Sequence, residues 1–290
     1  MERNTPWVGL ALMLEADFLA AAYPLFAAEE VEVLEWSFDV GWSLPKLPEW
    51  SAGLLETFSQ AGRLFGHGVS YSLLSADWRA PQERWLAKLG SEVERYRYQQ
   101  ISEHFGFCAG GNFHQSAPLP VPLTGTTLRL GQERLRRLAE VAQRPIGLEN
   151  LAFAFGAQDV ADQGRFLGEL LSAVDGFLLL DLHNVYCQSQ NFGHPWETLL
   201  REYPLERVRE LHVSGGSWSH SDAESHSIRR DTHDGAIPSE LFDWLPEVLR
   251  RCPAIQAVVL ERIGGSLPPS EAAQFQADFR RLKQVVHDAG

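Results

Sequence analysis

The stretch FLLLDLHN, residues 177–184, decides the fold. Four apolar residues in succession are followed by Asp181, and His183 and Asn184 come directly after. A continuous apolar run is typical of a parallel strand that is buried on both faces, because a half-exposed strand would alternate apolar and polar residues. The run AVVLE, residues 257–261, has the same character and also ends in a carboxylate. Both runs predict strands of a covered parallel sheet, with polar groups where each strand ends.

Six further runs have strand character, so that eight strands alternate with helical segments. The predicted strands are 7–13, 31–36, 64–67, 101–105, 145–150, 177–182, 208–213 and 255–261. The clearest helical segments are 82–100, 129–143, 159–174, 239–251 and 270–288. This alternation predicts an α/β fold, a single (β/α)8 TIM barrel over residues 1–290. A doubly wound open sheet is the alternative, although no Gly-rich phosphate loop follows the first strand. Segments 112–127 and 214–230 are expected to be long surface loops.

Composition and charge narrow the classes of function. The 290 residues contain 25 Lys and Arg against 38 Asp and Glu, a formal net charge of −13. Such acidity argues against a nucleic-acid partner or an anionic membrane surface, whose binding proteins carry basic patches. Three separated cysteines form no disulfide framework, and the N-terminus lacks the features of a signal peptide. We therefore expect a cytoplasmic protein without membrane association.

Metal-binding residue types recur at the carboxyl ends of the predicted strands or in the connections that follow them. They are His67, His104, Glu149, Asp181, His212, Asp231, His233 and Glu261. In a parallel barrel these ends converge on one mouth, where such enzymes place their chemistry. Carboxylates gathered there would repel one another unless cations lay between them. Four imidazoles and four carboxylates form a mixed nitrogen and oxygen donor set that suits Zn, Fe or Mn. The set is too large for one ion, so the sequence predicts a polynuclear metal site.

The order of these residues resembles that of endonuclease IV-type enzymes and other xylose-isomerase-like barrels. The resemblance implies three metal sites. The first would be formed by His67, His104 and Glu149. The second would be formed by Glu149, Asp181, His212 and Glu261. The third would be formed by Asn184, Asp231 and His233.

Seven local motifs narrow the resemblance further. They are HGVSYSLLS, ISEHFGF, IGLENLAF, LLLDLHNVYC, ELHVSGG, DTHDGAIP and VVLER, in this order from about residue 64 to 262. Together they resemble the multinuclear non-haem iron-dependent oxidases. This resemblance implies two or three Fe ions (Fe2+/Fe3+), O2 as co-substrate, and a ribosomally made precursor peptide that is modified, often at cysteine. Family members commonly work with a partner protein that recognises the peptide leader.

Four residues beside these motifs are candidates for substrate contact or catalysis. Asn150 and His183 are assigned to substrate. For His183, which stands where the family frequently has an Asn, the alternatives are ligation at the third site, a surface position, or a position that supports a metal ligand without binding the metal. Asp234, next to His233, is a candidate general base. Arg262, next to Glu261, is a candidate clamp for a substrate carboxylate. Other classes also remain open: an endonuclease IV-like phosphodiesterase, a sugar isomerase or epimerase, and a non-catalytic metal-binding subunit.

Overall fold

The computed structural model describes residues 5–110, 113–219 and 227–289. Eight parallel strands close into a barrel. They are β1 (Trp7–Ala11), β2 (Val33–Ser37), β3 (Leu64–Gly68), β4 (Ile101–His104), β7 (Ile146–Glu149), β8 (Phe177–Asp181), β9 (Val208–Val213) and β12 (Ala257–Leu260). The hydrogen-bonded order is β1-β2-β3-β4-β7-β8-β9-β12, and β12 pairs with β1 to complete the circle. The predicted (β/α)8 barrel is thus confirmed, and the open sheet is wrong.

Helices connect these strands and cover the barrel. They are α1 (Ala16–Ala27), α2 (Phe38–Gly41), α3 (Glu49–Gln60), α4 (Ala80–Arg95), α5 (Gly125–Ala142), α6 (Ala157–Leu171), α7 (Leu182–Phe192), α8 (Trp196–Glu202), α9 (Ser239–Arg251) and α10 (Ala272–Ala289). Helix α5 shows why these segments are helical and pack on the barrel. Its residues Leu135, Leu138 and Ala142 are buried on one face, at the spacing that places side chains about one turn apart. No helix of the described residues is both long and apolar enough to cross a membrane.

Two small antiparallel sheets stand where the sequence predicts long loops. Strands β5 (Phe107–Gly110) and β6 (Phe113–Leu119) pair as a hairpin after β4. The expectation of a loop over 112–127 is therefore wrong. Pairing with β5 supplies backbone hydrogen-bond partners that this segment lacks on its own, and helix α5 already begins at Gly125. Within 214–230, β10 (Trp218–Ser219) pairs with β11 (Ile228–Arg229). We call β10 and β11 the ribbon. Residues 220–226 of this predicted loop lie outside the described residues.

The interior of the barrel has an apolar and a polar part. Ala11, Val33, Phe65, Ala257 and Val259 form a separate buried cluster inside the barrel. Two residues further along their strands, Phe65 is followed by His67 and Val33 by Glu35. Since side chains two apart on a strand point to the same face, these polar side chains also point inward. The interior becomes polar toward the carboxyl ends of the strands.

Candidate metal centre

The first cluster joins the ends of three neighbouring strands. His67 of β3, His104 of β4 and Glu149 of β7 each offer one ligand atom to a common point. The Glu149 Oε2 atom lies 3.3 Å from His67 Nε2 and 3.2 Å from His104 Nε2, and the two imidazole nitrogens are 3.3 Å apart. The Nδ1 atom of His67 lies 2.8 Å from the Ser102 hydroxyl. That contact aims Nε2 at the cluster, as ligand-supporting hydrogen bonds do in metal sites.

The second cluster shares Glu149 with the first. Its members, Glu149, Asp181, His212 and Glu261, come from four strand ends and are all buried. The Nδ1 atom of His212 lies 3.0 Å from Glu261 Oε2 and 3.5 Å from Glu149 Oε1. One carboxylate therefore has an oxygen in each cluster, which is the arrangement of a bridging ligand between two metal ions.

The third cluster contains Asp181, Asp231 and His233. The Nε2 atom of His233 lies 2.8 Å from Asp231 Oδ1, and the backbone of His233 has a φ of 50°. A left-handed conformation in a non-glycine residue stores strain, and such strain concentrates at functional sites. Asn184 lies near this cluster, since it lines the same pocket as Asp231 and His233. Asp181 belongs to both the second and the third cluster.

Burial and mutual contacts shift the pKa values of these groups strongly. Burial alone would lower the pKa of His104, but the Glu149 carboxylate outweighs it and raises this pKa to about 9. Burial opposes ionisation of Glu149, yet His104 and His212 hold its pKa well below the usual range. Burial and the carboxylates Asp231, Glu149 and Glu261 raise the pKa of Asp181. The pKa of His67 is lowered by burial. Without cations, protons on imidazoles compensate the buried carboxylates.

The donor atoms suit metal ions better than they suit one another. Among the described residues, seven buried atoms of the three clusters and Asn184 lack a hydrogen-bond partner of acceptable geometry. They are His104 Nδ1, Glu149 Oε2, Asp181 Oδ2, Asn184 Oδ1, His212 Nδ1, His233 Nε2 and Glu261 Oε2. Buried polar atoms without partners are costly and rare, so a concentration of them needs an explanation. Imidazole nitrogens and carboxylate or amide oxygens are donors that Zn, Fe or Mn accept. The residues present therefore fit metal ions.

A buried polar layer lies on the other side of the His212 ring, and the carboxylate of Glu35 in β2 is part of it. The Nε2 atom of His212 lies 2.9 Å from Glu35 Oε2 and 4.0 Å from Glu210 Oε1. Gln100 donates to Glu210 at 2.8 Å. All four side chains are at most 1% exposed. The E-x-H spacing of Glu210 and His212 on β9 was the available signal, because it places both on one face of the strand.

The four residues predicted for substrate contact or catalysis have diverse positions. Asn150 is fully buried; its Oδ1 accepts from the Asp181 backbone at 2.7 Å, and its Nδ2 donates to the Asp181 carbonyl oxygen at 3.1 Å. His183 is fully buried, so a surface position is wrong. Its Nδ1 lies 3.0 Å from Asp231 Oδ1, which agrees with a position that supports a cluster residue. Asn150 thus fixes the backbone of a cluster residue. The roles of Asn150 and His183 as substrate contacts remain predictions.

The candidate catalytic side chains have structural partners. Asp234 is exposed and accepts from the Thr232 hydroxyl at 2.6 Å, a contact that holds its loop. Arg262 is 4% exposed; its guanidinium donates to Glu271 at 2.6 Å and to the Ser266 carbonyl at 2.9 Å. The geometry gives a substrate clamp at Arg262 no support, and the catalytic roles of both residues remain predictions.

A narrow pocket of about 50 Å³ lies directly over the clusters. Its lining consists of cluster residues and Asn184, together with Ala117 and Pro118 of the hairpin and residues 151–153 after β7. The Phe153 ring is 43% exposed at the edge of this pocket. A ligand in the pocket would thus contact both cluster residues and the apolar residues 117, 118 and 151–153, which we call the apolar wall.

Solved structures establish the class of fold. A xylose isomerase domain protein from Planctomyces limnophilus is 15% identical with a TM-score of 0.57, covering 98% of both chains. D-psicose 3-epimerase from Clostridium cellulolyticum H10 is 15% identical with a TM-score of 0.55, again over 98% of both chains. Likeness at this identity concerns the fold alone. The protein is thus a TIM barrel whose fold is like that of these two proteins, with metal-binding residue types at its mouth.

The family is narrower than this class. Residues 46–287 match the family described as RiPP precursor modification enzyme MbnB/TglH/ChrH, and the chain belongs to that family. The resemblance to multinuclear non-haem iron-dependent oxidases is confirmed. A "UPF0276 protein" of Caulobacter vibrioides is 26% identical over 274 residues, 94% of this chain and 91% of that protein. Another, of Shewanella loihica, is 28% identical over 190 residues, 66% of this chain and 64% of that protein.

Proposed function

We propose that this protein is an O2-dependent oxidase that uses two or three Fe ions (Fe2+/Fe3+) to modify a ribosomally made precursor peptide at cysteine. Three donor clusters linked by shared carboxylates beneath one pocket carry this proposal. Membership in a family of enzymes that modify precursor peptides supplies the substrate class. We further propose that it acts in the cytoplasm with a partner protein that recognises the peptide leader.

The three clusters would hold the metal ions, with Asn184 as a further ligand of the third. Bound iron would supply the capacity to bind a thiolate and to activate O2, chemistry that the side chains themselves lack. Glu149 and Asp181 each belong to two clusters and would keep neighbouring ions close together. A zinc hydrolase would need one open position and a metal-bound water, whereas the proposed oxidase needs redox-active ions.

The other side chains of the site would orient the donors and the peptide. Ser102 fixes the ring of His67, and Glu35 fixes the ring of His212. The apolar wall, which includes residues 151–153, would cover the reacting cysteine and exclude bulk water. Exclusion of water strengthens electrostatic interactions inside the pocket. The exposed face of Phe153 would contact the residues next to that cysteine in the peptide.

Metal analysis of protein purified with and without air tests the proposal. We expect two or three iron ions per chain in protein purified without air, and Mössbauer spectra that separate ferrous from ferric iron. A cysteine-containing precursor encoded beside this gene should then cause O2 consumption and a mass change of the peptide. The same peptide with Ser in place of Cys is the control. Two or three zinc ions together with phosphodiesterase activity, or epimerisation of a free sugar by the protein, would overturn the proposal.

A further inference from the structure

A buried imidazole links the ribbon to the third cluster. His183, in the first turn of α7, is fully buried. Its Nδ1 atom lies 3.0 Å from Asp231 Oδ1. Its Nε2 atom faces the guanidinium of Arg229 from β11, at 3.3 Å from Nε and 3.1 Å from Nη2. Arg229, His183 and Asp231 therefore form a chain of contacts that ends at a cluster carboxylate.

Arg229 determines the direction of every hydrogen bond in this chain. A guanidinium carries only donors and stays protonated in proteins, so His183 must accept at Nε2. The single proton of the neutral ring then lies on Nδ1, which donates to Asp231. With Arg229 absent, either nitrogen could carry the proton and the donor to Asp231 would no longer be fixed.

Arg229 is itself held firmly. Its backbone N–H donates to Asn191 Oδ1 at 2.8 Å, and the Asn191 amide donates back to its carbonyl at 2.9 Å. The guanidinium lies 5.4 Å from the centre of the Tyr186 ring and 5.6 Å from that of Trp218, within the range of cation–π attraction. The arginine is thus ordered by the protein alone, as a preorganised site requires.

We infer that Arg229 is a positioning residue for the third cluster: through His183 it holds the Asp231 carboxylate where Asp231, Asp181 and His233 can bind a metal ion together. The inference rests on the proposed function, since the third cluster is taken as a metal site. It also leaves His183 out of the ligand set, because both ring nitrogens are engaged by Asp231 and Arg229. Hydrogen bonds that orient metal ligands commonly change metal affinity by about 10- to 100-fold when removed.

The test compares Arg229→Met with a matched control, Arg230→Met. Arg230 is the next residue along the chain and is exposed. Each protein is titrated with Fe2+ without air, and bound iron is counted after desalting. We expect three ions in the wild type and in Arg230→Met. In Arg229→Met the last ion should bind about 10- to 100-fold more weakly, so that two ions remain after desalting.

The variant His183→Asn separates positioning through His183 from a general loss of structure. An asparagine amide nitrogen can take the place of Nδ1 and donate to Asp231 without needing Arg229. We therefore expect His183→Asn to keep the third ion, and Arg229→Met to have no further effect in that background. The double variant also decides the case if Arg229→Met alone fails to fold.

The outcomes distinguish the inference from the proposed function. Three tightly bound ions in Arg229→Met would overturn the role of Arg229 while leaving the iron sites intact. An equal loss of affinity in the wild-type and His183→Asn backgrounds would show that Arg229 does not act through His183. A wild-type protein that binds only two ions would remove the third metal site itself, and the inference with it.

Discussion

Replacing Glu149 by Gln should empty the first two metal sites together. Glu149 is 3% exposed, and its two oxygens face different clusters: Oε2 lies near His67 and His104, and Oε1 near His212. Glutamine is nearly isosteric but carries no charge, and its amide nitrogen is not a metal ligand. The substitution therefore replaces one of the two donor oxygens by a group that cannot bind a metal, and it removes the negative charge that both ions would share. We expect the iron content to fall from two or three ions per chain to at most one.

In the metal-free protein, Glu149→Gln should also lower the free energy of unfolding, and the pKa of His104 gives the size of this change. The pKa of His104 rises from 6.5 to about 9 in the fold, in large part through the contact with Glu149. At 1.36 kcal/mol per pKa unit this rise corresponds to about 3 kcal/mol. Because the folded pKa is the higher one, the stabilisation is complete below pH 6.5 and is lost as the pH rises through 9. Metal-free Glu149→Gln should thus be less stable than the wild type by up to about this amount at pH 6, and by little above pH 9.

Glu103→Gln is the matched control. Glu103 is 1% exposed and directly precedes His104. Burial and Asp39 raise its pKa well above the usual range, so the fold disfavours the charge that the substitution removes. Elemental analysis and urea unfolding at pH 6 and pH 9.5 are the assays. Unchanged iron content in Glu149→Gln, or equal losses in both variants, would refute the bridging role of Glu149.

Three further predictions concern the same site. Glu35→Leu removes the acceptor 2.9 Å from His212 Nε2 and should weaken iron binding at the second cluster by about 10- to 100-fold, which titration calorimetry would detect. Metal uptake should release protons, and metal affinity should rise as the pH rises toward 9. The reason is that the pKa of His104 is raised to about 9 and ligation needs the neutral ring. An equal heat of binding in buffers of different ionisation enthalpy would contradict this prediction. Phe153→Ala should raise KM for the peptide with kcat unchanged, as expected when uniform binding is lost; a fall in kcat alone would place the ring in the chemical step instead.

Much of the barrel follows from local sequence. The apolar run of β8 can bury both faces only inside a covered sheet, and the predicted boundaries of α9, 239–251, match the helix observed. The hairpin of β5 and β6 did not follow, because a polar, Pro-containing segment such as 113–119 acquires strand structure only when another strand supplies its hydrogen-bond partners. The ribbon was missed for the same reason.

The donor set follows from position along the chain. Most cluster residues end a barrel strand or directly follow one, and a parallel barrel brings all strand ends to one mouth. Asp231 and His233 come instead from the long connection between β9 and β12. The residues that hold those donors do not follow from position. Glu35 is 177 residues away from His212 in the chain, and Arg229 reaches His183 from a segment 46 residues away.

The sequence by itself thus determined the barrel, the ligand types and their order, because hydrophobic periodicity and strand-end chemistry are local properties of the chain. Only the tertiary structure decided which oxygen of Glu149 faces which cluster, that Arg262 binds Glu271, and that Arg229 contacts Nε2 of His183. Hydrogen-bond direction depends on the relative placement of side chains from distant segments, and that placement is fixed only when the barrel closes.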